Sequence, residues 1–172
     1  ICTHCYSWTM LKTFRKNMAP ALQRNSDLLT SKILHSDALP IINQAFFRFN
    51  SHGELDLDKK KATINLINYI NIAIKNPHCN FALWTKRFDV IKPYFDKNKK
   101  PKNFILVYSN PKINHIFKKP PTHFDKTFNN VYENIEVKKQ NCTGQKCKDC
   151  LLCYKLNSTN TIVEKVKSYG KK

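Results

Sequence analysis

Two apolar segments, Asn80–Thr85 and 103–109, open on the same Asn-Phe-x-Leu step 23 residues apart, with one amphipathic stretch (87–95) between them. That spacing holds one helix and two short links, and a strand–helix–strand unit of this kind pairs its strands in parallel through a right-handed crossover. A similar unit precedes it. Residues 41–49 read as a buried strand, and 58–75 as a long helix with Ile64, Ile67, Ile70, Ile72 and Ile74 along it, stopped by Asn76-Pro77. Upstream, 8–31 reads as helical: Met10, Leu11, Phe14 and Met18 recur near helical spacing, and Pro20 separates a second helix carrying Leu22, Leu28 and Leu29. Beyond Pro111 the rhythm fails. Pro120-Pro121 and Asn129-Asn130 mark irregular chain, and a last short strand falls at Thr161-Ile162-Val163. The pattern predicts an α/β fold, a short parallel sheet or partial (β/α) barrel over residues 1–125, followed by a cysteine-rich extension over 126–172.

Composition removes several function classes. Only three glycines occur (Gly53, Gly144 and Gly170), so neither a G-x-G-x-x-G fingerprint nor a Walker A loop can be written. No apolar run approaches the ~18 residues of a spanning helix, and no signal-peptide pattern opens the chain, so no membrane partner is expected. The chain starts at Ile1, next to a cysteine pair, and reads as a fragment whose natural N-terminus lies upstream. Lys and Arg number 30 against 12 Asp and Glu, a net charge of +18 that draws anions, nucleic acid above all. Lysine supplies 26 of the 30, whereas bidentate phosphate and base contacts favour arginine. Abundant Lys, Asn and Ile also match the coding bias of an AT-rich genome. Nucleic acid therefore stands as a candidate partner beside the plainer reading of a lysine-rich surface.

Cysteine spacing carries the most chemistry. Cys2 and Cys5 form a C-x2-C, and Cys142, Cys147, Cys150 and Cys153 form a C-x4-C-x2-C-x2-C; Cys79 stands alone before an apolar strand and reads as a small buried hydrophobe. Two-residue spacings let thiolates converge on one ion from a single turn, and an odd cysteine total fits a reducing compartment better than a disulfide framework. The quartet suits a tetrahedral zinc or an iron–sulfur cluster. Its C-x4-C-x2-C portion has the plant-type ferredoxin spacing, although the fourth ligand there lies far away. Lys138, Lys139, Lys146, Lys148 and Lys155 surround the quartet and are expected to offset its charge. Cys2 and Cys5 need further ligands, from upstream or from the quartet, and His4 between them is expected to line the site.

In parallel α/β folds ligands collect at the carboxyl ends of the strands. Here those ends carry His52, Gly53 and Glu54, then Thr85, Lys86 and Arg87, then Ser109 and Asn110. Polar residues follow strands wherever a chain turns in water; as a set, one crossover after a cysteine pair, they are read as a site. Glu54, Asp56 and Asp58, leading into a helix, read as N-terminal capping rather than as a cation site.

The order of cysteine pair, helices, strand with a Gly-Glu step and repeated β/α units resembles the radical S-adenosylmethionine architecture, a partial (β/α) barrel. There a cysteine loop commonly written C-x3-C-x2-C holds a 4Fe–4S cluster. Cys2-Thr3-His4-Cys5-Tyr6 fits the C-x2-C-aromatic end, and His52-Gly53-Glu54 is similar to the Gly-Gly-Glu step but lacks its first glycine. The chain more closely resembles the phage gene product 88 family, in Cys2 to Ser7, Phe46-Phe47-Arg48-Phe49 through Gly53-Glu54, Phe81 through Thr85-Lys86-Arg87, Phe104 through Ser109, and the tail quartet. The resemblance implies a 4Fe–4S cluster on Cys2 and Cys5 with one iron open for S-adenosylmethionine, and Glu54 on the methionyl ammonium. Arg48, Lys86 and Arg87 would face an anionic substrate or the cofactor carboxylate, with His52, Gly53 and Ser109 beside them. It also implies a second cluster, or zinc, on the quartet, and a phage protein working in the host bacterial cytoplasm. The alternative from another class is a non-catalytic, zinc-stabilised nucleic-acid-binding protein, with Phe117, Tyr132 and Tyr154 as stacking groups.

Overall fold

The computed structural model describes residues 6–13, 15, 17–132, 140–157 and 159–166. Five strands, β1 (Phe46–Phe49), β2 (Asn80–Thr85), β3 (Phe104–Ser109), β4 (Lys126–Val131) and β5 (Thr161–Lys165), make one sheet. All pairings are parallel and the spatial order is β1-β2-β3-β4-β5. Sequential order is that of neighbouring strands in a (β/α) barrel, and it places successive crossover helices on one face. The chain is thus an α/β protein with an all-parallel sheet, its tail cysteines gathered in the connection between β4 and β5.

Register separates the two faces, because side chains alternate along each strand. On one face Phe47, Phe81 and Phe104 share a row, as do Phe49, Leu83 and Leu106. Against them pack α3 (Lys59–Lys75), through Leu66, Tyr69, Ile70 and Ala73, and α4 (Phe88–Phe95), through Val90, Ile91 and Phe95. Helix α2 (Met18–Ser31) lies outside α3, tied to it by Asn68, whose side chain accepts from Leu34 N at 2.9 Å and donates to Leu29 O and Lys32 O. On the other face Arg48, Ala82 and Ile105 form one row, Trp84, Val107 and Lys126 the next, and Ser109, Phe128 and Ile162 a third. The chain from Cys142 to Tyr154 covers this side, packing Cys142, Leu152 and Cys153 on Ile105, Val107, Phe128 and Ile162.

Several elements match the sequence reading closely: β2, α3, α4 and β3 fall within a residue of where periodicity puts them. Three differ. Strand β1 is only four residues long; Ile41 is 71% exposed, and Ile42 N donates instead to Asn76 Oδ1 at 2.7 Å, holding that segment as a loop across the end of α3. Helix α1 (Tyr6–Lys12) ends at Lys12 and α2 begins at Met18, so Pro20 sits inside the first turn of α2, where a missing N–H is tolerated. Residues 126–131, read as irregular, are a buried strand of the sheet. Their polar side chains are answered from elsewhere in the fold: Asn129 donates to Ile162 O and Thr127 Oγ1 and accepts from Phe117 N and Asn110. Strands β4 and β5 therefore continue the sheet begun by β1–β3 across the 125/126 point.

Candidate functional site

The tail quartet begins at the sheet edge. Asn141 and Cys142 run beside β5, Cys142 bridging Glu164 in parallel, and Cys142 Sγ stands 3.8 Å from Glu164 Oε1. A cavity of about 220 Å³ opens here, lined by Gln140, Cys142, Thr143, Gly144, Glu164, Lys165 and Val166. Cys147–Cys150 then form a one-turn helix, α5, exposed to solvent. Leu151 closes it in the left-handed conformation (φ 52°), and the chain turns so that Leu152 and Cys153 come down on the sheet. Tyr154 follows, buried, its ring 4.8 Å from that of Phe46 on β1. The segment thus touches both edge strands.

No disulfide joins these thiols. Burial pushes the Cys153 thiol up to about 12, and the charges of Cys142, Cys147 and Cys150 push the same way, while Arg48 opposes them. The other three sulfurs are therefore within electrostatic reach of Cys153. In kind the donor set suits a tetrathiolate centre. Among the described residues, however, no three or more His, Cys, Asp or Glu side chains stand together closely enough to hold an ion. The fit is one of donor chemistry and neighbourhood; a bound centre would require the exposed Cys147 and Cys150 to close on Cys142 and Cys153. Lys146, Lys148 and Lys155 are all exposed, whereas two cations lie beneath the quartet on the sheet. Arg48 stacks over the Trp84 ring with 3.7 Å from guanidinium carbon to centroid. Lys126, 1% exposed, donates from Nζ to Asn157 Oδ1 at 2.7 Å and Thr159 O at 2.6 Å.

The strand-end set is arranged differently. Glu54 has both carboxylate oxygens in use: Oε1 accepts from Leu55 N at 2.9 Å, and Oε2 from Lys86 N at 2.8 Å, with Lys86 Nζ 3.8 Å away. It clasps the end of β1 to the end of β2. Arg87 is paired through Nε and Nη2 with Asp89 at 2.9 and 2.8 Å and bonds the Asp56 carbonyl, which holds the Asp89 carboxyl below its ordinary range. Asp58 caps α3, accepting from Lys61 N at 2.8 Å, and Asp56 accepts from Asp58 N, as capping residues should. A Cβ on Gly53 would meet nothing within 4 Å, so packing does not require glycine there. Ser109 lies on the thiol-covered face, in the row of Phe128 and Ile162. His52 Nδ1 stands 3.2 Å from Ser7 Oγ and Nε2 3.4 Å from Arg15, with burial and the charges of Arg15 and Arg48 lowering its pKa. Cys2, His4 and Cys5 lie outside the described residues; Ser7, two positions after Cys5, meets His52 at this strand end.

Of the three cations expected to face an anion, then, Arg87 is committed to carboxylate and Lys86 leans on Glu54. Arg48 points onto the thiol-covered face. Of the aromatic residues expected to stack on bases, Tyr154 is buried against Phe46, Phe117 packs edge-on against Tyr108 and His115, and Tyr132 is 38% exposed. Sequence reasoning passed over Lys126, because a lysine in unrecognised strand has no visible partner. Trp84, inside an apolar strand, reads as core from the sequence. The available signal was Arg48 itself, one of four arginines, standing in an apolar strand.

Sheet and donor set together define a class: a β/α protein with five parallel strands, closed by helices on one face and by a thiol-bearing strap on the other. The chain belongs to the gene product 88 family, which matches residues 1–139; the quartet from Cys142 onward lies past the matched span. No curated protein and no solved structure matches the chain. Among the described residues no helix is long and apolar enough to cross a membrane.

Proposed function

We propose that this chain is an iron–sulfur protein of radical-S-adenosylmethionine-like design, with Cys142, Cys147, Cys150 and Cys153 as ligands of a cluster seated over the open face of the sheet. The observation that carries the reading is the placement of Cys153: a half-buried thiol on the face opposite the helices, within electrostatic reach of the other three. A thiol raised by burial and by three neighbouring sulfurs gains from a cation, which removes its proton and offsets that repulsion together. The C-x4-C-x2-C spacing favours iron–sulfur over zinc. Cys2 and Cys5 would serve a second cluster near the strand ends, supported by the contact of Ser7 with His52. A 4Fe–4S centre there would supply reductive cleavage of S-adenosylmethionine; Arg48, His52 and Ser109 would line its side of the sheet, and nucleic acid is the candidate substrate by charge. Anaerobic purification followed by element analysis and absorbance near 400 nm tests this. Iron and sulfide bound by the parent chain, and lost in Cys150→Ala and Cys5→Ala, are expected; a colourless chain without iron overturns it.

One observation favours the second reading, a zinc-stabilised nucleic-acid-binding protein without catalysis. Both oxygens of Glu54 already accept from backbone N–H groups, and Lys86 Nζ stands 3.8 Å from one of them, so a ligand ammonium there would have to share an engaged carboxylate, while the +18 charge remains. It predicts one zinc per chain and binding to nucleic acid that weakens steeply with salt.

A further inference from the structure

Four thiolates bring four negative charges, and zinc or a 4Fe–4S core returns about two positive ones, so any centre on the quartet is a net anion of about −2 set against an apolar sheet. A buried anion needs compensation by charge and hydrogen bonds. The lysines adjacent to the quartet in sequence and described here, Lys146, Lys148 and Lys155, are exposed and offer little of either. The sheet offers both. Arg48 Nε and Trp84 Nε1, two of the four buried side-chain donors with no hydrogen-bond partner among the described residues, both belong to this face and are free to meet an acceptor there. Lys126 has three ammonium protons and two acceptors, Asn157 and Thr159, leaving one donor unspent. Register puts Trp84 and Lys126 in one row, either side of Val107, with Arg48 stacked on Trp84. Cys153 and Trp84 both pack on the cluster of Ile105, Val107, Phe128 and Ile162.

We infer that Arg48, Trp84 and Lys126 form a cationic floor that donates N–H···S hydrogen bonds to the thiolates of a metal centre on the tail quartet and neutralises its charge. They are positioning residues, not ligands. The inference rests on the metal-centre reading above, for either metal.

The test is anaerobic titration of the full chain with cobalt(II) alone, read by its thiolate charge-transfer absorption, then displacement by zinc. The parent chain should bind one cobalt through the quartet. Arg48→Gln, Lys126→Met and Trp84→Phe should each keep that stoichiometry but bind about tenfold more weakly, the usual scale for outer-shell partners of a metal site. Lys148→Gln should stay within about twofold, being solvated and screened. Circular dichroism of the metal-free variants checks folding; should Lys126→Met not fold, Arg48→Gln and Trp84→Phe carry the test. Parent binding with unchanged affinity in Arg48→Gln and Trp84→Phe overturns the cationic floor and leaves the metal reading standing. A parent chain that binds no cobalt overturns both.

Discussion

The two faces of the sheet are covered by different physics. On the helix side, β1, β2 and β3 present Phe49, Phe81, Leu83, Phe104 and Leu106 to α3 and α4, and the buried polar side chain of Asn68 there has its hydrogen bonds made. On the strap side a shorter apolar patch carries a guanidinium, an ammonium and thiols, with Arg48 Nε and Trp84 Nε1 left over. Asn65 Nδ2, buried on α3, is likewise without a partner among the described residues, so the faces differ in charge and not in how completely their donors are met. A face that holds cations beside thiols suits an anionic guest.

The largest effect should therefore fall on the helix side. Leu66→Ala, at a position 0% exposed in α3, should cost about 2–5 kcal/mol in urea unfolding. The loss should be the same with or without metal. If added metal rescues it, the faces are energetically one and the contrast fails.

The strand-end clasp comes next. Glu54→Ala removes the acceptor from Leu55 N and Lys86 N and should cost about 1–3 kcal/mol, measured the same way. If Glu54 is instead reserved for a ligand, the variant should lose that ligand while stability barely moves.

Alkaline pH should pick out the strap side in the metal-free chain. The Cys153 thiol is raised from 9.0 to about 12, and the Tyr154 phenol from 10.0 to about 12, both by burial first. Each holds its proton in the native state after the unfolded chain has lost its own. Stability is thus complete below about pH 9 and falls as pH rises toward about 12. Tyr69 and Cys79 on the helix side are raised by burial too, so Cys153→Ala with Tyr154→Phe should flatten only part of the fall. Leu66→Ala should lower the whole curve without changing its slope. Denaturant midpoints across that range separate the outcomes, and an unchanged slope in the double variant would remove the strap from the account.

What could be read in the sequence follows the same division. Periodicity reports burial by self-sufficient apolar surface, which is why α3, α4, β2 and β3 were legible almost to the residue. It cannot report polar groups whose partners are distant in sequence. Lys126 finds Asn157 and Thr159 more than thirty residues on, and Asn129 finds Ile162 O, so Lys-Thr-Phe-Asn-Asn-Val looks like loop until the fold is known. In the opposite sense, Ile41 and Ile42 look like strand because nothing local reveals the claim of Asn76 on that segment. The cysteine spacing stated the chemistry of the tail but not where it would lie. That depends on the turn at Leu151 and on an open sheet face, and neither is written in the spacing.

The smallest effect concerns the one ion pair of the clasp. Lys86 Nζ stands 3.8 Å from Glu54 Oε2, both side chains partly solvated, whereas the 2.8 Å bond to that oxygen comes from the Lys86 backbone. Lys86→Gln leaves the backbone donor in place and removes a screened charge, so it should change stability by less than about 1 kcal/mol, and less still at high salt. The comparison with Glu54→Ala isolates what joins β1 to β2. A Lys86→Gln loss as large as that of Glu54→Ala would mean that charge, not backbone hydrogen bonding, holds the strand ends together. It would also return Lys86 to the set of cations available to an anion at that edge.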